Sequence, residues 1–155
     1  MGLTAIDQGI EDCLYVGNLD AKRDWGHAEE YVELQWRMLQ QDKPEDFVIA
    51  TGRQESVRRF VELSAKELGW KGINWDGEGL REIGRRKDNN KVVIRVDKRY
   101  FRPSEVESLL GDSTKAKNQL GWSNSISLEK LISEMIENDK IIVSKKSLLL
   151  KSGFK

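Results

Sequence analysis

Apolar side chains recur along this chain at two spacings, and each spacing predicts a type of secondary structure. Residues 28–41, 57–68 and 128–136 carry apolar side chains at helical spacing, which predicts amphipathic helices. Val92, Ile94 and Val96 recur at every second position over 91–96, which predicts a strand. Because short strands alternate with helices, the pattern favours an α/β fold.

The run Phe47-Val48-Ile49-Ala50 is apolar at every position and is closed by Thr51-Gly52. A continuous apolar run between two helices is typical of a strand that is covered on both faces in a parallel sheet. We therefore expect residues 47–50 to form such a strand. Shorter strands are expected at Leu14–Val16 and Ile73–Trp75.

Two polar segments are expected to lie outside the regular elements. Residues 76–90 mix basic and acidic side chains and include two adjacent asparagines, which predicts a solvated loop with a turn at Asn89-Asn90. Residues 144–155 are basic, and we expect this tail to fray. The predicted organisation is therefore one domain over residues 1–143, followed by the tail.

Length and composition restrict the classes of function. A chain of 155 residues is typical of one domain, and its 26 Lys and Arg residues balance 26 Asp and Glu residues. Balanced charge argues against a nucleic-acid binder, although a basic cluster at Arg85–Lys87 keeps that alternative open. Cys13 and His27 are the only residues of their types, so this chain cannot form an internal disulfide or a Cys/His zinc site. No apolar run has the length of a membrane span and no signal-peptide pattern occurs, so we expect a cytoplasmic protein without membrane contact.

The segment 17–32 combines a strand exit, two cations and a helix start. Gly17-Asn18 end the first strand, and Lys22-Arg23 follow in the loop. A helix is expected to open at Asp24 and Gly26. Cations in a loop before a helix N-terminus suit an anion, because backbone N–H groups and the helix dipole favour negative charge there. The alternative interpretation is an ordinary surface loop followed by an N-cap.

A second candidate site is the sequence Arg102-Pro103-Ser104-Glu105. Pro103 fixes the backbone beside Arg102 and so limits where its guanidinium points. Glu105 offers a carboxylate that can accept hydrogen bonds from a vicinal diol. Arginine for a diphosphate and glutamate for ribose hydroxyls would suit a sugar nucleotide, whereas the alternative is an Arg–Glu surface pair near a turn.

Several stretches of this chain resemble the GDP-mannose 4,6-dehydratase family of extended short-chain dehydrogenases. The similarity covers roughly residues 5–140. The stretches that carry it are Gly17–Ala28, Tyr31-Val32, Met38–Gln41, Phe47–Gly52, Ser56–Arg58, Arg99–Pro103, Glu105-Val106 and Leu110–Ala116.

The resemblance implies the C-terminal, substrate-binding part of such an enzyme. It implies a small mixed sheet with flanking helices, including the last strand or strands of a Rossmann-like sheet. Members of the family use NADP to convert GDP-mannose to GDP-4-keto-6-deoxymannose, so the implied ligand is GDP-mannose or another GDP-sugar. The resemblance also implies that Arg23 and Arg102 contact the nucleotide diphosphate and that Glu105 meets the guanosine ribose. Further candidates for the pocket wall are Asn18, Tyr100 and Val16.

The chain differs from the family in the motifs that bind the cofactor and carry out catalysis. It contains neither the glycine-rich dinucleotide loop nor the Tyr-x-x-x-Lys motif, since Gln35 stands four residues after Tyr31 and Ser104 stands four residues after Tyr100. We therefore assign no catalytic or NADP-binding residue and expect no dehydration of GDP-mannose by this chain alone. The alternative is a non-catalytic interaction module that pairs with an N-terminal half or an intact homologue.

Overall fold

The computed structural model describes residues 1–102 and 110–153. Its helices are α1 (Gly2–Asp7), α2 (Ala28–Leu39), α3 (Val57–Glu67), α4 (Thr114–Leu120) and α5 (Leu128–Lys151), with a short 3₁₀ helix at Gly79–Arg81. Its strands are β1 (Leu14–Val16), β2 (Lys22–Arg23), β3 (Glu55–Ser56), β4 (Ile73–Asp76), β5 (Ile83–Arg86) and β6 (Val92–Val96).

A mixed four-stranded sheet of order β1-β6-β5-β4 organises the main core. β1 runs parallel to β6 with Leu14 opposite Ile94, whereas β6, β5 and β4 form an antiparallel meander. Val93 and Ile94 are fully buried and pack in one cluster with Ala65 of α3 and with Trp70, which lies just after α3. The prediction of a small mixed sheet with flanking helices is confirmed.

A second core lies between α2, α4 and the loop after α4. Leu34, Ala116 and Trp122 are buried here, and Phe47 and Ile49 pack against them. The indole Nε1 of Trp122 donates to the backbone oxygen of Glu30 at 2.8 Å. The loop is therefore tied to the first turn of α2 from inside the molecule.

Helix α5 packs against α3 through a third cluster of buried residues, Leu63, Ile132 and Ile136. Ser127 caps its start by accepting the Lys130 N–H at 3.2 Å. The helix continues to Lys151, so the expectation that the chain frays from residue 144 is wrong. Buried Val143 holds the middle of α5 to the body, and cooperative helix propagation extends it over the following residues.

Two further expectations differ from the structure. Residues 47–50 are not in a strand, because no described segment is hydrogen-bonded beside them. Residues 76–90 are not one solvated loop, since they include β5. The charges on Arg85 and Arg86 obscured this strand; Arg86 lies over the Trp70 ring, with its guanidinium carbon 4.1 Å from the ring centroid. The turn expected at the asparagine pair is present, and Asn90 has a φ of 58° there.

Candidate functional site

The loops that follow β1 and β6 meet at one edge of the sheet. Because the two strands are parallel, their carboxyl ends lie side by side, which is where ligands bind in open α/β sheets. A cleft of about 290 Å³ opens at this edge. Its lining residues are Gly17, Asn18, Ala21, Arg23, Val57, Tyr100 and Arg102.

Close backbone contact joins the two loops. The Asp97 N–H donates to the Val16 oxygen at 2.9 Å, which continues the parallel pairing beyond β1. A Cβ atom built on Gly17 would lie 2.3 Å from the Tyr100 oxygen, so only glycine permits this approach. Asn18 completes the turn, with its Oδ1 accepting the Asp20 N–H at 2.9 Å.

The β2–β3 pair brings Arg23 to the cleft. In this two-stranded ladder Lys22 lies opposite Ser56 and Arg23 opposite Glu55. The loop before β2 is fastened to the first turn of α3, because the N–H groups of residues 57 and 58 donate to the oxygens of residues 21 and 19 at 3.1 and 2.8 Å. Ser56 accepts the Arg59 N–H at 3.1 Å. These α3 donors are already used, so recognition of an anion here depends on guanidinium groups.

Acidic side chains near the cleft are paired with arginines. Asp97 follows β6 directly and accepts from Arg99 Nε and Nη2 at 3.0 and 2.7 Å. These hydrogen bonds hold the pKa of Asp97 below its usual value. The Arg99 guanidinium also lies over the half-exposed Tyr100 ring, 5.5 Å from its centroid. Across the loop, Arg58 binds Asp20 through Nε and Nη2 at 3.0 and 2.9 Å.

The structure brings four of the six predicted site residues to this cleft: Asn18, Arg23, Tyr100 and Arg102. Val16 packs against the main core instead of lining the cleft. Glu105 lies outside the described residues. Sequence reasoning did not select Ala21 and Val57, although both stand within two residues of a recognised feature, namely Arg23 and the Ser56 cap.

The sequence suggested that the cation pair precedes an accessible helix N-terminus. In the structure, the start of α2 is not such a site. Lys22 and Arg23 form β2, and α2 begins only at Ala28. His27 Nδ1 accepts the Glu29 N–H at 3.2 Å, and its Nε2 lies 3.0 Å from Glu134. Since Nδ1 accepts, Nε2 carries the proton and donates to Glu134. The first turn also carries Glu29 and Glu30, so the start of α2 is a structural cap that disfavours an anion.

The described residues contain neither a candidate metal site nor a helix that could span a membrane. Residues 1–102 and 110–153 hold no group of three or more His, Cys, Asp or Glu side chains suited to a metal ion. Among the helices of those segments, none combines the length and apolar character needed to cross a bilayer.

Solved structures share this fold. The structure of RMD from Pseudomonas aeruginosa, complexed with NADPH, matches with a TM-score of 0.67 at 17% identity, over 89% of this chain and 39% of that one. UDP-glucose 4-epimerase from Thermotoga maritima, with UDP-glucose, matches with a TM-score of 0.61 at 23% identity, over 95% of this chain and 38% of that one. These likenesses show a shared fold, and this chain spans less than half of each of those chains.

Sequence comparison identifies the family. The family model described as GDP-mannose 4,6 dehydratase matches residues 1–135. GDP-mannose 4,6-dehydratase from Vibrio cholerae is 51% identical over 98% of this chain and 43% of its own length, and the human enzyme is 53% identical over 84% and 35%. This chain belongs to the GDP-mannose 4,6-dehydratase family and spans less than half the length of these relatives. The predicted family and fold class are confirmed.

Proposed function

We propose that this chain forms the GDP-binding side of a GDP-mannose 4,6-dehydratase pocket. The observation that carries the proposal is the convergence of Arg23 and Arg102, which come from distant segments, on one cleft at the carboxyl ends of two parallel strands. A planar guanidinium can hold a phosphate through two hydrogen bonds, and two such groups match the charge of a diphosphate.

The other cleft residues suit the rest of a nucleotide. The Tyr100 ring offers an apolar face beside the arginines, and Asn18 shapes the loop after β1. Val16 supports that loop from the core. We assign Glu105 to the ribose hydroxyls on the family resemblance alone.

The residues of this chain do not fit NADP. The nearest approach to a dinucleotide loop, Gly77-x-Gly79, follows strand β4 at the edge of the sheet and leads into a three-residue 3₁₀ helix. A pyrophosphate needs the N-terminus of a full helix after a buried strand. With neither a hydride acceptor nor a positioned base, binding here orients the substrate without oxidising it, and we expect this chain alone to be inactive.

Calorimetric titration of the purified chain tests the proposal. We expect GDP and GDP-mannose to bind and UDP to bind more weakly. Arg23→Ala and Arg102→Ala should each weaken GDP binding by about tenfold or more, because each removes a charge-assisted contact. Arg81→Ala is the matched control, since this exposed arginine lies on the 3₁₀ helix away from the cleft-lining residues.

Two results would contradict the proposal. GDP binding that is insensitive to both cleft variants would remove the assigned role of the arginines. Formation of a 4-keto product from GDP-mannose and NADP by this chain without any partner would show that the missing chemistry is present after all.

The second candidate function, a non-catalytic interaction module, is favoured by the outer face of α2. Val32, Trp36 and Leu39 stand one to two helical turns apart and are 60%, 62% and 81% exposed. They lie on the side of α2 opposite Leu34, so this helix is apolar on both sides, as helices between two layers are. Gel filtration and the binding of an apolar dye test the idea. A monomer that binds no such dye would leave it without support.

A further inference from the structure

The loop of residues 97–102, which follows β6, carries two residues of the cleft, Tyr100 and Arg102. Because neither residue stands in a helix or strand, its position depends on the contacts that hold the loop. Asp97 begins the loop and supplies most of them. Its backbone oxygen accepts the N–H groups of Tyr100 and Phe101 at 3.0 and 3.1 Å.

The side chain of Asp97 holds the same turn through Arg99. One carboxylate oxygen accepts the Arg99 N–H at 2.8 Å, and the other accepts Arg99 Nε and Nη2 at 3.0 and 2.7 Å. The Asp97 side chain is 19% exposed and that of Arg99 is 71% exposed. An exposed ion pair alone stabilises little. Because this carboxylate also binds a backbone N–H, it restrains the turn as well as the guanidinium.

Arg99 extends this restraint to the ring of Tyr100. Its guanidinium carbon lies 5.5 Å from the ring centroid, which is within the range of a cation–π contact. The backbone oxygen of Tyr100 lies close to Gly17, where a Cβ atom would stand only 2.3 Å away. Tyr100 is therefore held through both its backbone and its ring. Asp97 and Arg99 themselves are not among the residues that line the cleft.

We propose that Asp97 and Arg99 are positioning residues for nucleotide binding. They hold the 97–102 loop so that Tyr100 and Arg102 face the nucleotide together, and they do not touch the nucleotide themselves. The inference rests on the proposed function, because GDP is the ligand whose binding is positioned. The alternative is that the two residues act on an anionic ligand only through their charges.

Substitutions at Asp97 and Arg99 separate positioning from charge by the direction of the effect. A carboxylate near a bound diphosphate repels it, so charge alone would make Asp97→Asn bind GDP more tightly and Arg99→Gln less tightly. Positioning requires both variants to bind GDP more weakly, because both break the same contact. We expect a loss of about fivefold or more from each in calorimetric titration of the purified chain.

Arg99→Lys provides a second test that keeps the charge. Lysine cannot make the planar two-bond contact with the carboxylate of Asp97. We expect Arg99→Lys to weaken GDP binding by about threefold or more, whereas an effect of charge alone would leave the affinity unchanged. The exposure of Arg99 makes this variant easy to accommodate in the fold, and circular dichroism checks that every variant is folded.

A double-mutant cycle with Tyr100→Ala tests the path of the effect. If Arg99 acts through the ring of Tyr100, Arg99→Gln loses most of its effect once the ring is removed. We expect its loss of GDP affinity to fall to about twofold or less in the Tyr100→Ala background. A general loss of stability would leave the loss the same in both backgrounds.

Arg86 and Asp88 offer a matched control pair. Arg86 Nε donates to Asp88 at 2.9 Å, and its guanidinium lies over the Trp70 ring, so the arrangement resembles that of Asp97, Arg99 and Tyr100. The Arg86 N–H donates to the oxygen of residue 91, which places Arg86 at the amino end of β6, away from the cleft. Asp88→Asn should leave GDP affinity within about twofold of the parent, whatever its thermal stability.

Four results would overturn the inference: tighter GDP binding by Asp97→Asn, unchanged binding by Arg99→Lys, an undiminished effect of Arg99→Gln without the Tyr100 ring, or an equal loss in the control Asp88→Asn. If these occur while Arg102→Ala still weakens GDP binding, only the positioning role is refuted. A parent chain that binds no GDP would refute the proposed function and this inference with it.

Discussion

The cleft and the segment 47–50 differ in how their backbone N–H and C=O groups are hydrogen-bonded. At the cleft, the Asp97 N–H pairs with Val16 and the first N–H groups of α3 pair with residues 19 and 21. Around residues 47–50 the side chains are packed but no described backbone group of the segment is paired with another segment. The comparison teaches that the described chain itself pairs the backbone at the cleft, whereas within the described residues it holds segment 47–50 through side-chain packing.

The largest expected effect is on the free energy of unfolding, and it should differ between the two faces of α2, the helix that packs against residues 47–50. Leu34 is fully buried on α2, whereas Leu39 on the same helix is 81% exposed. Leu34→Ala should lower the free energy of unfolding by about 2–5 kcal/mol, because it leaves a cavity in the second core. Leu39→Ala should change it by less than about 0.5 kcal/mol. Urea unfolding measures both, and similar losses would mean that the outer face is packed in solution.

A smaller, pH-dependent effect is expected at Glu30, which fastens the same helix. Its Oε1 accepts from Ser125 N, Ser125 Oγ and Ile126 N at 2.6, 2.9 and 3.0 Å. Burial alone would raise the pKa of Glu30, but these hydrogen bonds outweigh it and hold the pKa below the usual value. Glu30→Gln should cost about 1.5–3 kcal/mol at neutral pH.

The sign of the pH dependence follows from the lowered pKa of Glu30. The stabilisation is complete above the pKa of the unfolded state, about 4.3, and is lost as the pH falls through the folded value. The difference in unfolding free energy between the parent and Glu30→Gln should therefore be constant above about pH 5 and shrink below about pH 4. Urea titrations across this range check it, and a difference that grows in acid would contradict the assignment.

The smallest of these effects is expected at Gly17, on the cleft side of the comparison. A methyl group there must push the Tyr100 backbone away, which should cost about 1–3 kcal/mol in stability. Since the same displacement separates the two loops, Gly17→Ala should also weaken GDP binding. Thermal unfolding and calorimetry measure the two changes. Unchanged affinity with lowered stability would place the nucleotide elsewhere.

Elements whose pattern is local were predictable from the sequence. The amphipathic spacing of α3 and the strand at Val92–Val96 are present in the structure, and both Ser56 and Ser127 cap helices as their positions indicated. Adjacent Val93 and Ile94 are both buried, so β6 is covered on both faces. The meeting of Arg23 with Arg102 was expected from the family resemblance, and the structure places both on one cleft.

Features that depend on a distant partner were not predictable. Residues 47–50 have the composition of a buried strand, but a strand exists only beside another, and none is hydrogen-bonded to them in the described chain. β5 was not predicted, because the charges of Arg85 and Arg86 are typical of a solvated loop. In the structure, Arg86 stacks on Trp70. The full length of α5 was not predicted, because the basic residues near its end suggested a frayed tail.

The parallel pairing of Leu14 with Ile94 has a consequence for biosynthesis. β4, β5 and β6 are neighbours in sequence and can pair as soon as they leave the ribosome, whereas β1 must wait for β6 before the sheet closes. We therefore expect the cleft to assemble late on the nascent chain. Premature termination before residue 96 would release a polypeptide with no cleft at all, however well its first helices had formed.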